Sequence, residues 1–398
     1  MTGPNTMSVP DRKFQFSASL MFFVIFENQV GVGIPGFQRI IFQEAGHDAW
    51  LCVLLAGLWA HATVWCMNKV LSRYSRSSLY DIHHDVYGRW AGGMLNIVYI
   101  GFNAFAVLVI VRNYVEMVQT WLFPDMPTWL LSVIMAAMTI YGVLGGVRVI
   151  VGVAVLSFIF TIWLILFIWF PLRYADWTKL LPLLEANPVQ LWKGTVQMSF
   201  TIAGFEIFYM LYPYISKPKE AYRYVHFGII GTTALYLIVM VVSLVYFSSG
   251  QLLRTIWATF TLFKIVLMPF LERFEYVAVS LWLLIVLPNL MLYSWAASKG
   301  LKKVFGWNQR SVLYAMFAAV VAAAMLFKTR FQIDKLNDTF GQICMWIVFV
   351  YPWVLLLAVW IRSKRKDGGG RAYGNMETTG IAAAFAAPDN GPDRLSPE

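Results

Sequence analysis

The residues best suited to chemistry sit inside apolar runs. Residues 14–37, FQFSASLMFFVIFENQVGVGIPGF, are long enough to span a bilayer. Yet they carry Glu27, Asn28 and Gln29 in mid-run, followed by Gly31, Gly33, Pro35 and Gly36. A uniform spanning helix has no use for three polar side chains followed by helix-breakers. A discontinuous helix does: irregular backbone at membrane depth is tolerated only where protein buries it or where it lines a cavity, and transporter-type folds bind their solute at such breaks. The chemistry expected of residues 27–34 is therefore noncovalent capture of a small solute. The stretch also matches G-x-G-x-x-G through Gly31, Gly33 and Gly36. A dinucleotide fingerprint, however, needs a preceding strand, a following helix and an acidic residue about 20 positions on. A hydrophobic span precedes this one and Pro35 sits inside it, so nucleotide binding is set aside.

A second run behaves in the same way. Residues 199–214, SFTIAGFEIFYMLYPY, enclose Gly204 and Glu206 and close with Pro213. An intramembrane carboxylate is costly and is a functional candidate by default; the plainer alternative is a kink with Glu206 near the interface. Asn96, Tyr99 and Asn103 fall at i, i+3 and i+7, on one helix face. Such a face turns toward a cavity or toward hydrogen bonds with another helix, and both readings stand. Arg112 and Glu116, four apart, are expected to pair with each other. Pro288, Asn289 and Tyr293 interrupt a further run, for which a proline kink is the simpler account. His83, His84 and Asp85 read as a solvated loop, since adjacent histidines diverge too far to share one metal. The chain offers no Ser–His–Asp arrangement, P-loop or zinc pattern. Catalytic residues, metal sites and cofactors are not expected.

The elements that must position these residues follow from composition. The 398 residues are 59% hydrophobic and 13% charged, with mean hydropathy +0.63. That is too little charge to cover a soluble surface, and repeated apolar runs of about 20 residues indicate a polytopic, all-α membrane protein. Ten transmembrane spans are predicted, near 14–37, 48–67, 93–119, 128–146, 149–171, 195–214, 225–248, 276–298, 311–327 and 340–361. With both termini cytoplasmic, the inside segments carry twenty Lys and Arg against ten outside, which supports that orientation and an even number of spans. This distribution over alternate loops also separates the net charge of +10 from nucleic-acid binding. Residues 252–272 hold Lys264 and Pro269 and make a poor span; they read as an amphipathic helix on the outer face. Cys52, Cys66 and Cys344 read as small hydrophobic packers. Residues 1–10 form a disordered start and 367–398 a disordered cytoplasmic tail, leaving 11–366 as one membrane domain with repeats at about 11–171 and 195–361. The two interrupted spans, first and sixth, occupy corresponding places in two halves of five, which is the sequence sign of a transporter-type site.

Four motifs carry a resemblance: ENQVGVGIPGFQR at 27–39, EAGHDAW at 44–50, GFEIFYMLYPYISKPKEA at 204–221 and PFLERFEYVAVSLWLLIVLPN at 269–289. Over residues 11 to about 365 the chain resembles the B subunits of spore germinant receptors, within the amino acid–polyamine–organocation transporter superfamily. The resemblance implies a five-plus-five inverted repeat of the leucine-transporter type with broken helices 1 and 6. It implies a small germinant, often an amino acid, bound between those breaks. It also implies A and C subunits as partners in the spore inner membrane. By this analogy the ligand site comprises Gln29, Val30, Gly31, Val32 and Gly33 with Ala203, Gly204, Phe205 and Glu206, and Tyr99 and Asn103 line the same pocket. Free N–H groups at a half-helix N-terminus suit a carboxylate, and free carbonyls with Glu206 suit an ammonium group. In one respect the sequence departs from the pattern. Some proton-coupled relatives use a Lys in span five as a built-in cation, whereas residues 149–171 hold neither Lys nor Arg. That leans toward a sensing, signalling subunit. A secondary amino acid permease and a water or ion conduit opened on germination are the alternatives, separable by net solute uptake and by conductance without saturable binding.

Overall fold

A computed structural model of the chain describes residues 11–74, 77–266 and 272–364. The disorder expected of residues 1–10 and 367–398 lies outside the described residues, as do Pro269 and the start of the fourth motif.

Apart from one isolated bridge, the described residues are helical or irregular. The helices that matter below are α1 (Met21–Gln29), α2 (Phe37–Ala45), α3 (Ala49–Leu71), α4 (Leu79–Trp121), α5 (Thr128–Leu144), α6 (Val147–Thr161), α7 (Pro188–Gln197), α8 (Ser199–Ile202), α9 (Pro218–Tyr246), α10 (Ala258–Phe263), α11 (Phe274–Phe305), α12 (Gln309–Ala324) and α13 (Arg330–Cys344). Six stretches are long and apolar enough to cross a membrane: Phe37–Leu71, Leu79–Trp121, Val147–Leu172, Pro218–Tyr246, Phe274–Phe305 and Arg330–Lys364. Two shorter apolar helices, α5 and α12, accompany them. The chain is an integral membrane protein.

The core is built on α4 against α11, the most extensive helix pair, with α1 wedged between α9 and α6. Residues 11–17 and 216–217 lie together at one face of the molecule, here the N-terminal face. Phe16 N donates to the Tyr214 carbonyl over 3.0 Å, and Ser216 N donates to the Phe16 carbonyl over 2.9 Å. The segment before α1 is thus strapped to the loop before α9.

Three local expectations are corrected. His83 is buried rather than solvated: α4 turns sharply at Gly88 (φ 81°), folding its first turns back so that His83 Nδ1 donates to Asn96 Oδ1 at 2.7 Å and Tyr351 OH donates to His83 Nε2 at 2.7 Å. Asn96 therefore serves a helix–helix contact. Arg112 and Glu116 choose other partners. Arg112 Nε donates to the Phe327 carbonyl at 2.8 Å and Glu116 binds Arg330 at 2.7 Å, so both turn to the segment that leads into α13. The described part of 252–272 is not a surface helix. It forms two short helices, Ser249–Arg254 and α10, and Ala258, Thr259, Phe260, Leu262 and Phe263 of α10 are buried.

Candidate functional site

Helix α1 stops at Gln29 because the next residues cannot continue it. Val30 leaves helical geometry (φ −80°, ψ 93°), Pro35 has no N–H to donate, and the chain resumes as α2 only after Gly36. The second break falls between α8 and the 3-10 turn Phe205–Ile207. There Ala203 is extended and Gly204 has φ 125°, a region open to glycine.

The two breaks meet. Asn28 Nδ2 donates to the Gly204 carbonyl and Gln29 Nε2 to the Ile202 carbonyl, both at 2.7 Å. Gln29 is held from behind, since Thr232 donates to its Oε1 at 2.8 Å and Tyr236 to its backbone carbonyl at 2.6 Å. The approach is close enough to exclude side chains: a Cβ at Gly33 would sit 2.8 Å from the Thr201 hydroxyl, and one at Gly204 2.4 Å from the Asn28 carbonyl oxygen. Further donors reach in from other helices. Trp282 Nε1 donates to the Gly31 carbonyl at 3.2 Å, Asn289 Nδ2 to the Glu27 carbonyl at 2.8 Å, and α10 closes the far side through Thr259, whose hydroxyl donates to the Ile34 carbonyl at 2.9 Å. The buried carbonyls of Glu27, Gln29, Gly31 and Ile34 are thereby each given a donor, as burial demands.

Between the breaks lies a small cavity of about 30 Å³, room for a water-sized group. Gln29, Gly31, Val32, Gly33, Thr201, Ala203, Asn289 and Tyr293 line it, with Ala106 and Ile110 from α4 and the rings of Phe200 and Phe340. Two features leave it chemically open. The N–H groups of Gly31, Val32 and Gly33 have no acceptor among the described residues, and Asn28 Oδ1 is buried with no donor. Asn28, Gly31, Val32 and Gly33 all line the cavity, so both unspent donors and an unspent acceptor belong to its wall. Above it lies a vestibule of about 580 Å³, lined by Arg39, Asn113, Gln197, Arg330, Asp334 and Asp338; Val32, Gly33 and Phe200 border both spaces.

Of the residues named from sequence, Gln29, Gly31, Val32, Gly33 and Ala203 meet at the cavity. Val30 faces a separate apolar space of about 50 Å³ with Glu27 and Trp282. Gly204, Phe205 and Glu206 stand behind the cavity. Glu206 Oε2 accepts from Gly204 N at 2.7 Å and its Oε1 from Tyr293 OH at 2.8 Å, while Phe205 packs on Phe349. Tyr99 and Asn103 lie outside the lining, nearer the start of α4 than Ala106. Asn103 donates to the Tyr99 carbonyl of its own helix, and the Tyr99 hydroxyl is buried without a partner. Glu27 accepts a short hydrogen bond of 2.5 Å from Ser157 of α6. Asn289 and Tyr293, one turn apart on α11, are the cavity residues that the proline-kink reading passed over; their i, i+4 spacing is the signal that marks them. Ala106, Ile110 and Phe340 gave no signal, being apolar residues in apolar helices. Among the described residues no group of three or more His, Cys, Asp or Glu is placed to hold a metal.

Two interrupted helices facing each other across a small polar cavity, in an all-helical membrane protein, define a transporter-type scaffold. The fold is shared with a Na+-coupled sialic acid symporter solved in a substrate-bound outward-open state, at TM-score 0.61 and 14% identity over 85% of this chain and 79% of that one. Residues 15–333 match the family model described as "Spore germination protein", and the chain belongs to that family. Spore germination protein GerQB of Bacillus cereus is 32% identical over 349 residues, 88% of this chain and 96% of the relative. Spore germination proteins YndE and B2 of Bacillus subtilis are 24% and 25% identical, over 87% and 90% of this chain and 95% and 98% of theirs. The family read from four sequence motifs is the family found.

Proposed function

We propose that the chain is the germinant-sensing membrane subunit of a spore germination receptor, binding a small zwitterion such as an amino acid between its two helix breaks and signalling to A and C partner subunits. The observation that carries this reading is the pair of bonds from Asn28 and Gln29 to the Gly204 and Ile202 carbonyls, with unspent donors and an unspent acceptor facing one cavity. The N–H groups of Gly31 to Gly33 receive the carboxylate; Asn28 Oδ1 receives the ammonium. Glu206 acts through Gly204 and Tyr293, holding the break in shape.

In this reading the chain makes ten spans as two inverted sets of five, with both termini cytoplasmic in the spore inner membrane. The cavity of about 30 Å³ is smaller than an amino acid and represents the contracted state. Ligand favours a state in which Phe200 and Phe340 stand apart, and it drives the change only to the extent that it binds that state more tightly. Partner subunits respond to the difference between the two arrangements.

The test is deletion of the gene, scored by dipicolinate release from spores exposed to a panel of amino acids and nucleosides. Loss of response to one ligand class, with growing cells still taking up that ligand normally, supports the receptor and names the germinant. Normal germination with reduced uptake moves the protein to the permease class.

A further inference from the structure

We propose that the N-terminal face carries a binding site for a phosphate-bearing anion, with a lipid headgroup as its occupant, independent of the germinant cavity. A cavity of about 1050 Å³ opens there, far larger than the space between the helix breaks. Three cations from three separate elements border it: Arg12 ahead of α1, Arg148 at the start of α6, and Lys217 ahead of α9.

Their charges are little used by the protein. The Arg12 guanidinium has no acceptor among the described residues. Arg148 donates to a single backbone carbonyl, that of Lys13, at 3.1 Å. Lys217 meets Glu220 at 3.2 Å in a pair exposed to solvent on both sides. The one carboxylate on the rim, Asp11, is matched by Lys13 at 3.3 Å. The cavity therefore presents a net positive charge. Ser17 and Ser216 add hydroxyls to the rim, whereas the floor is apolar: Phe16, Leu20, Val151 and Gly152.

The order of these groups suits a lipid. The cations lie near the starts of apolar helices, and the apolar floor runs between the segment leading into α1 and the first turns of α6. Basic pockets between spans at a membrane face recognise anionic headgroups by this combination of charge and groove. Gly152 leaves the floor open, since a Cβ there would meet nothing within 4 Å. A phosphate seated between Arg12, Arg148 and Lys217 would tie α6 to the strap that Phe16 forms with Tyr214 and Ser216. Occupancy would thereby hold α6 against the two segments that flank the broken helices.

The experiment uses the purified full chain in detergent, titrated with phosphatidylglycerol, phosphatidylcholine of the same acyl chains, or inorganic phosphate. Bound lipid is read by native mass spectrometry and thermal unfolding by intrinsic fluorescence. Phosphatidylglycerol is expected to bind and to raise the unfolding midpoint over phosphatidylcholine. Arg12→Gln, Arg148→Gln and Lys217→Gln are each expected to weaken it about fivefold, the worth of one basic residue near an anionic surface. Gly152→Trp, which keeps every charge and fills the floor, is expected to abolish lipid binding, and it decides the matter if the charge variants do not fold. A midpoint raised by inorganic phosphate to the same extent supports the phosphate site and assigns it to a free anion. Equal binding of the two lipids with no effect of phosphate overturns the proposal, as does wild-type phosphatidylglycerol binding by Gly152→Trp.

Discussion

The Asn28 side chain and the Gly204 backbone are joined by a 2.7 Å hydrogen bond across 176 residues of sequence, and the bond ties one helix break to the other. Each interruption frees backbone groups that a membrane interior punishes, and each supplies partners for the other. The consequence is a joint between the two breaks held by defined hydrogen bonds.

Asn28→Ala removes the short donor and leaves the buried Gly204 carbonyl under-satisfied, with only the long 3.5 Å bond from Ile207 N. A loss of about 1–3 kcal/mol is expected, the cost of an unsatisfied buried polar group. It is read from the unfolding midpoint of the purified protein. Wild-type stability would show that water replaces the bond and that the two breaks are not tied there.

Gly204→Ala is expected to destabilise through two effects at once. Its φ of 125° disfavours an L-residue, and the added Cβ would stand 2.4 Å from the Asn28 carbonyl oxygen. A loss of several kcal/mol follows from strain and overlap together. The checks are protein level in the membrane and thermal midpoint. Normal values for both would mean that the break has another backbone shape.

Tyr293→Phe deprives Glu206 Oε1 of its 2.8 Å donor, and Glu206→Gln alters the same contact from the other side. In a double-mutant cycle the two changes are expected to couple by about 0.5–3 kcal/mol, as contacting residues do. Additive effects would show that the carboxyl is oriented by Gly204 alone.

Phe200→Ala is expected to join the small cavity to the vestibule above it, since the ring borders both. Ligand would then escape more readily. The half-maximal germinant concentration should rise roughly tenfold, equivalent to about 1.4 kcal/mol. An unchanged dose–response would show that Phe200 is not the barrier and leave Val32 as the side chain between the two spaces.

Arg330 and Glu116 form a partly buried ion pair at 2.7 Å, and Arg330 also meets Asp334 at 2.7 Å. Arg330→Ala strands Glu116 in a poorly solvated place and is expected to cost more than the double change Arg330→Ala with Glu116→Ala. Thermal midpoints of the two variants, each against the wild type, check this. Equal losses for the single and double variants would show that solvent reaches Glu116.

The sequence by itself determined that the protein is a helical membrane protein, that two of its runs break, and to which family it belongs. Hydropathy over about 20 residues reports membrane burial directly, and Gly31, Gly33, Pro35, Gly36 and Gly204 oppose helix geometry whatever surrounds them. Only the tertiary structure decided which polar groups face the cavity and which hold its walls. Glu206 reads from the chain as a ligand for an ammonium group, yet both its oxygens are taken by Gly204 and Tyr293. Asn289 and Tyr293 read as company for a proline kink, yet they line the cavity. His83 reads as solvated, yet a reversal at Gly88 buries it between Asn96 and Tyr351. The reason is common to all three. Periodicity fixes which residues share a face of one helix, whereas a side chain's role depends on what a second helix, more than 80 residues away for Glu206 and Tyr293, brings within hydrogen-bonding reach.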